Sequence, residues 1–180
     1  CKGLIMITTH SSIPDIPPIE WEHLYDATCS LYTHPSQIAA CAHLAGYSYV
    51  SPNKARILEI GSALGGNLTS IAETLPQAEC IGIDPFEAQT QQAQKRAKES
   101  KIYNVRYEAI GIETAREVLE GKFDYIIAHG FCSWVSPEIR EQSFSFIHDY
   151  LSPQGICYMS YNTYPRWHIH QSTRRLMQWR

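Results

Sequence analysis

No apolar run in this sequence approaches the roughly 20 residues needed to cross a bilayer as a helix, so a membrane span is not expected. Charge is scarce as well: charged residues make up 18% of the 180 residues, and the formal net charge is −3. The basic residues form no long block, which leaves nucleic acid and anionic membranes as poor electrostatic partners. The six cysteines, Cys1, Cys29, Cys41, Cys80, Cys132 and Cys157, include no CxxC pair. That speaks against a zinc site and against a disulfide framework. Cys80 and Cys157 fall in apolar runs that read as strands, where a buried thiol is the expected state, and the compartment implied is a reducing cytoplasm. Ser133 does not sit in a G-x-S-x-G elbow, which disfavours a hydrolase triad. His168 and His170 are two residues apart on a predicted helix and diverge, and no metal site is expected. No secretory leader is legible in CKGLIMITTH, and there is no internal repeat. The chain does not start with Met, and its last residues, RRLMQWR, stop inside a helical pattern, so it reads as a fragment.

What is present centres on Arg56 to Leu75, RILEIGSALGGNLTSIAETL. Ile57, Leu58 and Ile60 form the apolar run of a strand buried on both faces, interrupted by Glu59. Gly61, Gly65 and Gly66 follow, and then Leu68, Ile71, Ala72 and Leu75 recur at the spacing of one helix face. A strand, a glycine-rich turn and a helix are therefore expected within twenty residues. Glycine lets a ligand approach the backbone, and the helix start offers free N–H groups. In an open parallel sheet, ligands sit at the carboxyl ends of the strands near a switch in strand order.

Residues 1–18, ending in the Pro14, Pro17, Pro18 cluster, read as an irregular arm. Residues 19–55 read as a helical cap, with a short helix from Ile19 to Cys29 and another from Gln37 to Ala45 stopped by Gly46. Residues 56–180 form the main domain. Its further strands are Cys80–Ile83, Val105–Ile110, Phe123–Ala128 and Ile156–Tyr161. Its helices are Phe86–Ser100, a short one at Thr114–Leu119, one capped by Ser136 with Pro137 in first position, and a final one after Pro165. Ser152–Gly155 reads as a turn. Five strands alternating with helices predict an α/β fold, a mainly parallel sheet covered on both faces.

Asp84 ends the second strand, 18 residues after Gly66. An acid there accepts hydrogen bonds from both hydroxyls of a ribose, so the ligand expected is an adenosine. The dinucleotide fingerprint has glycines as GxGxxG. Here Ala63 replaces the glycine that admits a pyrophosphate. Together with Glu59, the turn reads E-x-G-x-x-x-G-G.

That pattern resembles the first motif of the class I S-adenosylmethionine-dependent methyltransferases. The likeness runs from about Ile19 to the end of the chain. It is sharper at FDYIIAHGFCSWVSPEIR (Phe123–Arg140) and SYNTYPRWH (Ser160–His168), which resemble a bacterial subgroup whose methyltransferase domain is followed by a methyltransferase regulatory domain. Arg166 stands where that subgroup has glycine, and its C-terminal domain is absent from this sequence. The resemblance implies a Rossmann-like fold with S-adenosylmethionine as cofactor. Glu59, Gly61, Ser62, Gly65, Gly66 and Asn67 would then serve the methionine half, and Asp84 the ribose. Pro85 or Phe86 would pack on the adenine, with Ile110 at the position that contacts the adenine amine in relatives. His129 would stand beside the methyl group as the candidate base, and Trp134, Tyr161, Asn162 and Tyr164 would shape an acceptor pocket. The acceptor, a small molecule or a protein, is left open.

The class I fold closes with a further antiparallel pair, expected here from residues beyond Arg180. Without it the fifth strand would be an exposed edge, which predicts cover from a second copy or from the missing C-terminal domain. Two other functions compete: an NAD-dependent oxidoreductase of the same fold type, and a non-catalytic cofactor-binding or interaction module.

Overall fold

A computed structural model describes residues 4–8, as backbone, and 28–162. The predicted helix after Pro165, and that at Ile19–Cys29 apart from its last two residues, which are not helical, lie outside the described residues. In chain order the elements are β1 (Leu4–Thr8), α1 (Pro35–Leu44), β2 (Arg56–Ile60), α2 (Gly66–Thr74), β3 (Glu79–Ile83), α3 (Glu87–Glu99), β4 (Val105–Glu108), α4 (Ala115–Val118), β5 (Phe123–Ala128), α5 (Pro137–Tyr150) and β6 (Leu151–Ser160). The sheet runs β1-β6-β5-β2-β3-β4, and every neighbouring pair is parallel. The chain steps outward from β2 through β3 to β4, then returns to the far side of β2 with β5. The switch in strand order therefore lies between β2 and β5, at the end of the glycine-rich turn.

One expectation is corrected. Residues 4–8 are not part of an irregular arm: they form a strand along β6, with Leu4 in register with Ile156 and Thr8 with Ser160. The edge that was expected to lie open is covered by the chain's own N-terminal region. The predicted turn at Ser152–Gly155 also belongs to β6, as an irregularity in its pairing with β5. The Ser152 hydroxyl donates to Asp124 at 2.9 Å there, which satisfies the bulged segment.

The sheet faces divide by strand alternation. Ile57, Cys80, Tyr125, Ile127 and Ile156 pack under α1, α2 and α3, against Ile38, Ala42, Leu68, Ile71, Ala93 and Ala97. Leu58, Ile60, Ile81, Ile126 and Cys157 face the other way, against Ala115, Phe146 and Ile147 of α4 and α5. Each such Leu or Ile stabilises the fold by roughly 1.5–3 kcal/mol on burial. Helix starts follow local chemistry. Ser136 Oγ accepts the Ile139 N–H at 3.3 Å with Pro137 in the first turn, as its sequence predicts. His34 caps α1, its Nδ1 accepting the Ser36 N–H at 3.2 Å.

A row across the first face sets the floor of the turn. Glu59 is in register with Gly82, and Gly82 with Tyr107. The Tyr107 ring occupies the space that a side chain on Gly82 would take, and its hydroxyl donates to the Gly65 carbonyl at 2.9 Å. A Cβ on Gly82 would lie 2.6 Å from Tyr107 Cδ1 and 2.8 Å from Ser62 Oγ. Gly82→Ala is therefore expected to destabilise the chain by about 1–3 kcal/mol through overpacking, read as a lower urea midpoint. A midpoint equal to that of the parent would show that the ring moves aside freely.

Candidate functional site

The turn after β2 consumes its own donors. The Gly61 and Ser62 N–H groups both donate to the Ile83 carbonyl, at 2.9 and 3.1 Å. The Ala63 N–H goes to Asp84 Oδ2 at 3.0 Å and the Gly65 N–H to the Ser62 carbonyl at 2.9 Å. Gly61 and Gly65 hold φ near +73° and +72°, and Ala63 a strained +45°. Gly65 is a packing glycine: a Cβ there would lie 2.5 Å from the Tyr107 hydroxyl and 2.7 Å from the Ala93 methyl. Gly61 faces the Phe131 ring, whose Cδ2 would stand 3.1 Å from an added Cβ. Gly66 opens α2 directly above Glu59 and Asn67.

Glu59 lies under that first turn of α2, with 4% of its surface exposed. Asn67 Nδ2 donates to its Oε1 at 2.7 Å, and the nearby Leu68 N–H favours its charged form. Its Oε2 has no partner among the described residues, and neither does the buried Ser62 Oγ beside Gly82. Burial raises the Glu59 carboxyl to about pKa 7, and repulsion from Asp84 adds to the rise.

Asp84, buried at 6% exposure, stands at the end of β3. Its two oxygens accept the Ala63 and Phe86 N–H groups, each at 3.0 Å. These bonds fix the carboxylate plane while leaving it lone pairs for further donors. Burial raises its pKa, against the pull of the two amides. Pro85 and Phe86 are exposed beside it, Phe86 at 47%, so the ring offers a free face. Ile110 is half-buried at the end of β4, packed on the second core layer.

His129 follows β5. Its Nδ1 lies 2.9 Å from Ser160 Oγ, and the same oxygen accepts the Gly130 N–H at 2.8 Å. Partial burial lowers the imidazole pKa, so the ring is neutral near pH 7. The loop beyond is held from α5: Arg140 Nε donates to the Cys132 carbonyl at 3.2 Å. Buried Ser133 accepts the Asn162 N–H at 2.7 Å, which joins this loop to the end of β6. Trp134 is exposed at 40%, and Tyr161 and Asn162 are half-buried on the adjoining strand end. Tyr164 lies outside the described residues. The structure thus gathers Glu59, Gly61, Ser62, Asp84, Phe86 and His129 at the carboxyl ends of β2, β3 and β5. Tyr107, Phe131, Arg140 and Ser160, which the sequence reading did not select, hold that edge in shape.

A doubly wound parallel sheet with a donor-poor glycine turn and a buried acid after the next strand defines a Rossmann-like domain for a nucleoside-containing cofactor. A family model described as a methyltransferase domain matches residues 58–157, and the chain belongs to that family. It is 35% identical over 161 residues to an uncharacterized protein of Rickettsia prowazekii, covering 89% of this chain and 60% of that protein. A second uncharacterized protein of the same organism is 32% identical over 176 residues, 98% of this chain and 30% of its own length. The chain thus spans less than two thirds of these curated relatives. Among solved structures it matches PKMT2 from Rickettsia typhi in complex with AdoHcy, with 34% identity and a TM-score of 0.81, over 86% of this chain and 30% of that one. The fold is that of the class I methyltransferases.

Glu59 makes a signed prediction about pH. Its folded pKa, about 7, lies above the ordinary 4.5. The folded state therefore keeps a proton that the unfolded chain releases, and stability falls as pH rises from about 4.5 to about 7. Glu59→Gln, which keeps Oε1 as acceptor, should leave stability at pH 5 little changed and raise it at pH 8 by roughly 2–3 kcal/mol. Urea titrations at the two pH values check this, and equal differences at both would show that Glu59 is ionised throughout.

Proposed function

We propose that this chain binds S-adenosylmethionine across the ends of β2, β3 and β5 and transfers its methyl group to an acceptor beside His129. One observation carries the reading: four N–H groups of the glycine turn are spent internally while a buried oxygen of Glu59 has no partner among the described residues. Such a turn has few donors for a pyrophosphate, and its buried acid would repel one, so an NAD-type cofactor is disfavoured. It suits a ligand half that carries an ammonium. The PKMT2 structure with AdoHcy, similar over most of this chain, supports the same reading.

The residues divide the work by chemistry. Glu59 Oε2 attracts the amino group of the methionine half, and Gly61 allows close backbone approach. Asp84 takes the ribose hydroxyls, and the free face of Phe86 lies against the adenine. The cofactor supplies an electrophilic methyl on a sulfonium, and the chain's main task is in-line placement of the acceptor. Neutral His129 takes a proton from an acceptor that carries one. Trp134, Tyr161 and Asn162 line the approach. The acceptor is read as a small molecule or a protein, and the likeness of residues 123–140 and 160–168 to the subgroup with a regulatory domain points to a further domain beside this one. The free thiols of Cys80, Cys132 and Cys157, all buried, suit a reducing cytoplasm. No helix among the described residues is long and apolar enough to cross a membrane.

Calorimetric titration with AdoHcy and with NAD tests the reading. AdoHcy is expected to bind and NAD not to, and the reverse would overturn it. Asp84→Ala should weaken AdoHcy by about 1.5–3 kcal/mol, the scale of a hydrogen bond to a charged group. His129→Ala should slow turnover and leave AdoHcy affinity near that of the parent. Loss of affinity instead would make His129 a cofactor contact.

A further inference from the structure

Asn67 occupies the first turn of α2 and faces two ways. Its Nδ2 donates to Glu59 Oε1 at 2.7 Å, and its Oδ1 accepts the Ser30 N–H at 3.0 Å. Thr33 Oγ1 lies 2.9 Å from the same Oδ1 and 2.7 Å from the Ser30 carbonyl, so its single proton is shared between the two. The amide orientation is fixed by the Ser30 backbone N–H, which can only donate and so faces Oδ1. The segment so held is anchored along the whole helix. Thr33 is fully buried, and His34 Nε2 donates to Thr74 Oγ1 at 2.8 Å at the far end of α2.

We propose that Asn67 is a positioning residue that couples the seating of Ser30–Thr33 to the orientation of the Glu59 carboxylate, so that docking of this N-terminal segment and binding of the cofactor's ammonium reinforce each other. The inference rests on the proposed role of Glu59 at the ammonium. With Ser30 and Thr33 in place, Asn67 presents one rotamer, and its N–H holds Oε1 so that Oε2 remains the free oxygen. With the segment withdrawn, the amide loses both anchors and Glu59 loses a fixed donor. Coupling between two binding events is reciprocal, so the ligand must also hold the segment. Of the titratable groups among the described residues, Asp84 acts on Glu59 by repulsion, and Glu59 in turn raises the Cys80 thiol and the Tyr107 hydroxyl, so the charged and titratable groups that face it are all acids.

Three variants in the full chain separate the parts. Asn67→Asp keeps an acceptor for Ser30 but loses the donor to Glu59. Thr33→Val removes one anchor at nearly constant shape, and Thr33→Ser restores the hydroxyl. AdoHcy affinity is measured by calorimetry across the Glu59 titration, and amide exchange of residues 29–34 is measured with and without AdoHcy. Asn67→Asp should weaken AdoHcy about tenfold at neutral pH and move the midpoint of its pH dependence upward by about one unit. Thr33→Val should cost about fivefold, the factor of one ordinary hydrogen bond, and Thr33→Ser should recover it. AdoHcy should slow exchange of the Ser30 amide. Parent-like affinity and pH midpoint in both Asn67→Asp and Thr33→Val, while Glu59→Gln still loses affinity, would overturn the coupling. Failure of the unmodified chain to bind AdoHcy would instead sink the proposed function. A carbon-13 titration of the Glu59 carboxyl without ligand then decides the Asn67 contact: the same midpoint in the parent and Asn67→Asp overturns it.

Discussion

The site depends on keeping one carboxylate dry. Glu59 sits in the sheet face beneath the first turn of α2, where an ion is costly unless its oxygens are bonded. Only one of them is engaged by the chain's own donors among the described residues. Removing the acid would relax that tension, and under the proposed function it would also remove the attraction for the cofactor's ammonium. Burial first and repulsion from Asp84 second raise its pKa, against the pull of Asn67.

The glycine turn solves the complementary problem. A tight strand-to-helix connection normally exposes amides that attract phosphate. Here the Ile83 carbonyl, the Ser62 carbonyl and Asp84 absorb them. Asp84 is thereby tied to the turn it faces, so the acid and the turn are placed by the same hydrogen bonds. Beneath them the ring of Tyr107 supports the turn from Gly82 to Gly65, and the polypeptide can move neither glycine without moving the ring.

Much of this was legible in the residues. Ile57 to Ile60, the glycine turn and the helical spacing of Leu68, Ile71 and Leu75 mark β2 and α2, and the Ser136–Pro137 start of α5 is as read, because each signal is local. Asp84 was legible through its distance from the turn. Other features depend on register, which no window of sequence contains. Tyr107 looks like an ordinary strand aromatic until Gly82 is set beside it. Asn67 looks like a helix-start residue lining the ligand until Ser30 arrives from 37 positions earlier in the chain. The pairing of Ser160 with His129, 31 residues apart, is hidden for the same reason. Residues 4–8 were misread because the prolines that follow, Pro14, Pro17 and Pro18, draw the eye from a short apolar run, and because its partner strand is far along the sequence.

That last pairing bears on how the chain assembles. Leu4 meets Ile156, so β1 has no partner among the described strands until β6, the last of them, is made. The middle of the sheet, where β2, β3 and β4 are consecutive, forms from near neighbours. The outer pair must close a loop of about 150 residues, and such long-range closure is slow. During synthesis the apolar segment LIMIT therefore waits unpaired until β6 exists, while β2, β3 and β4 already have one another.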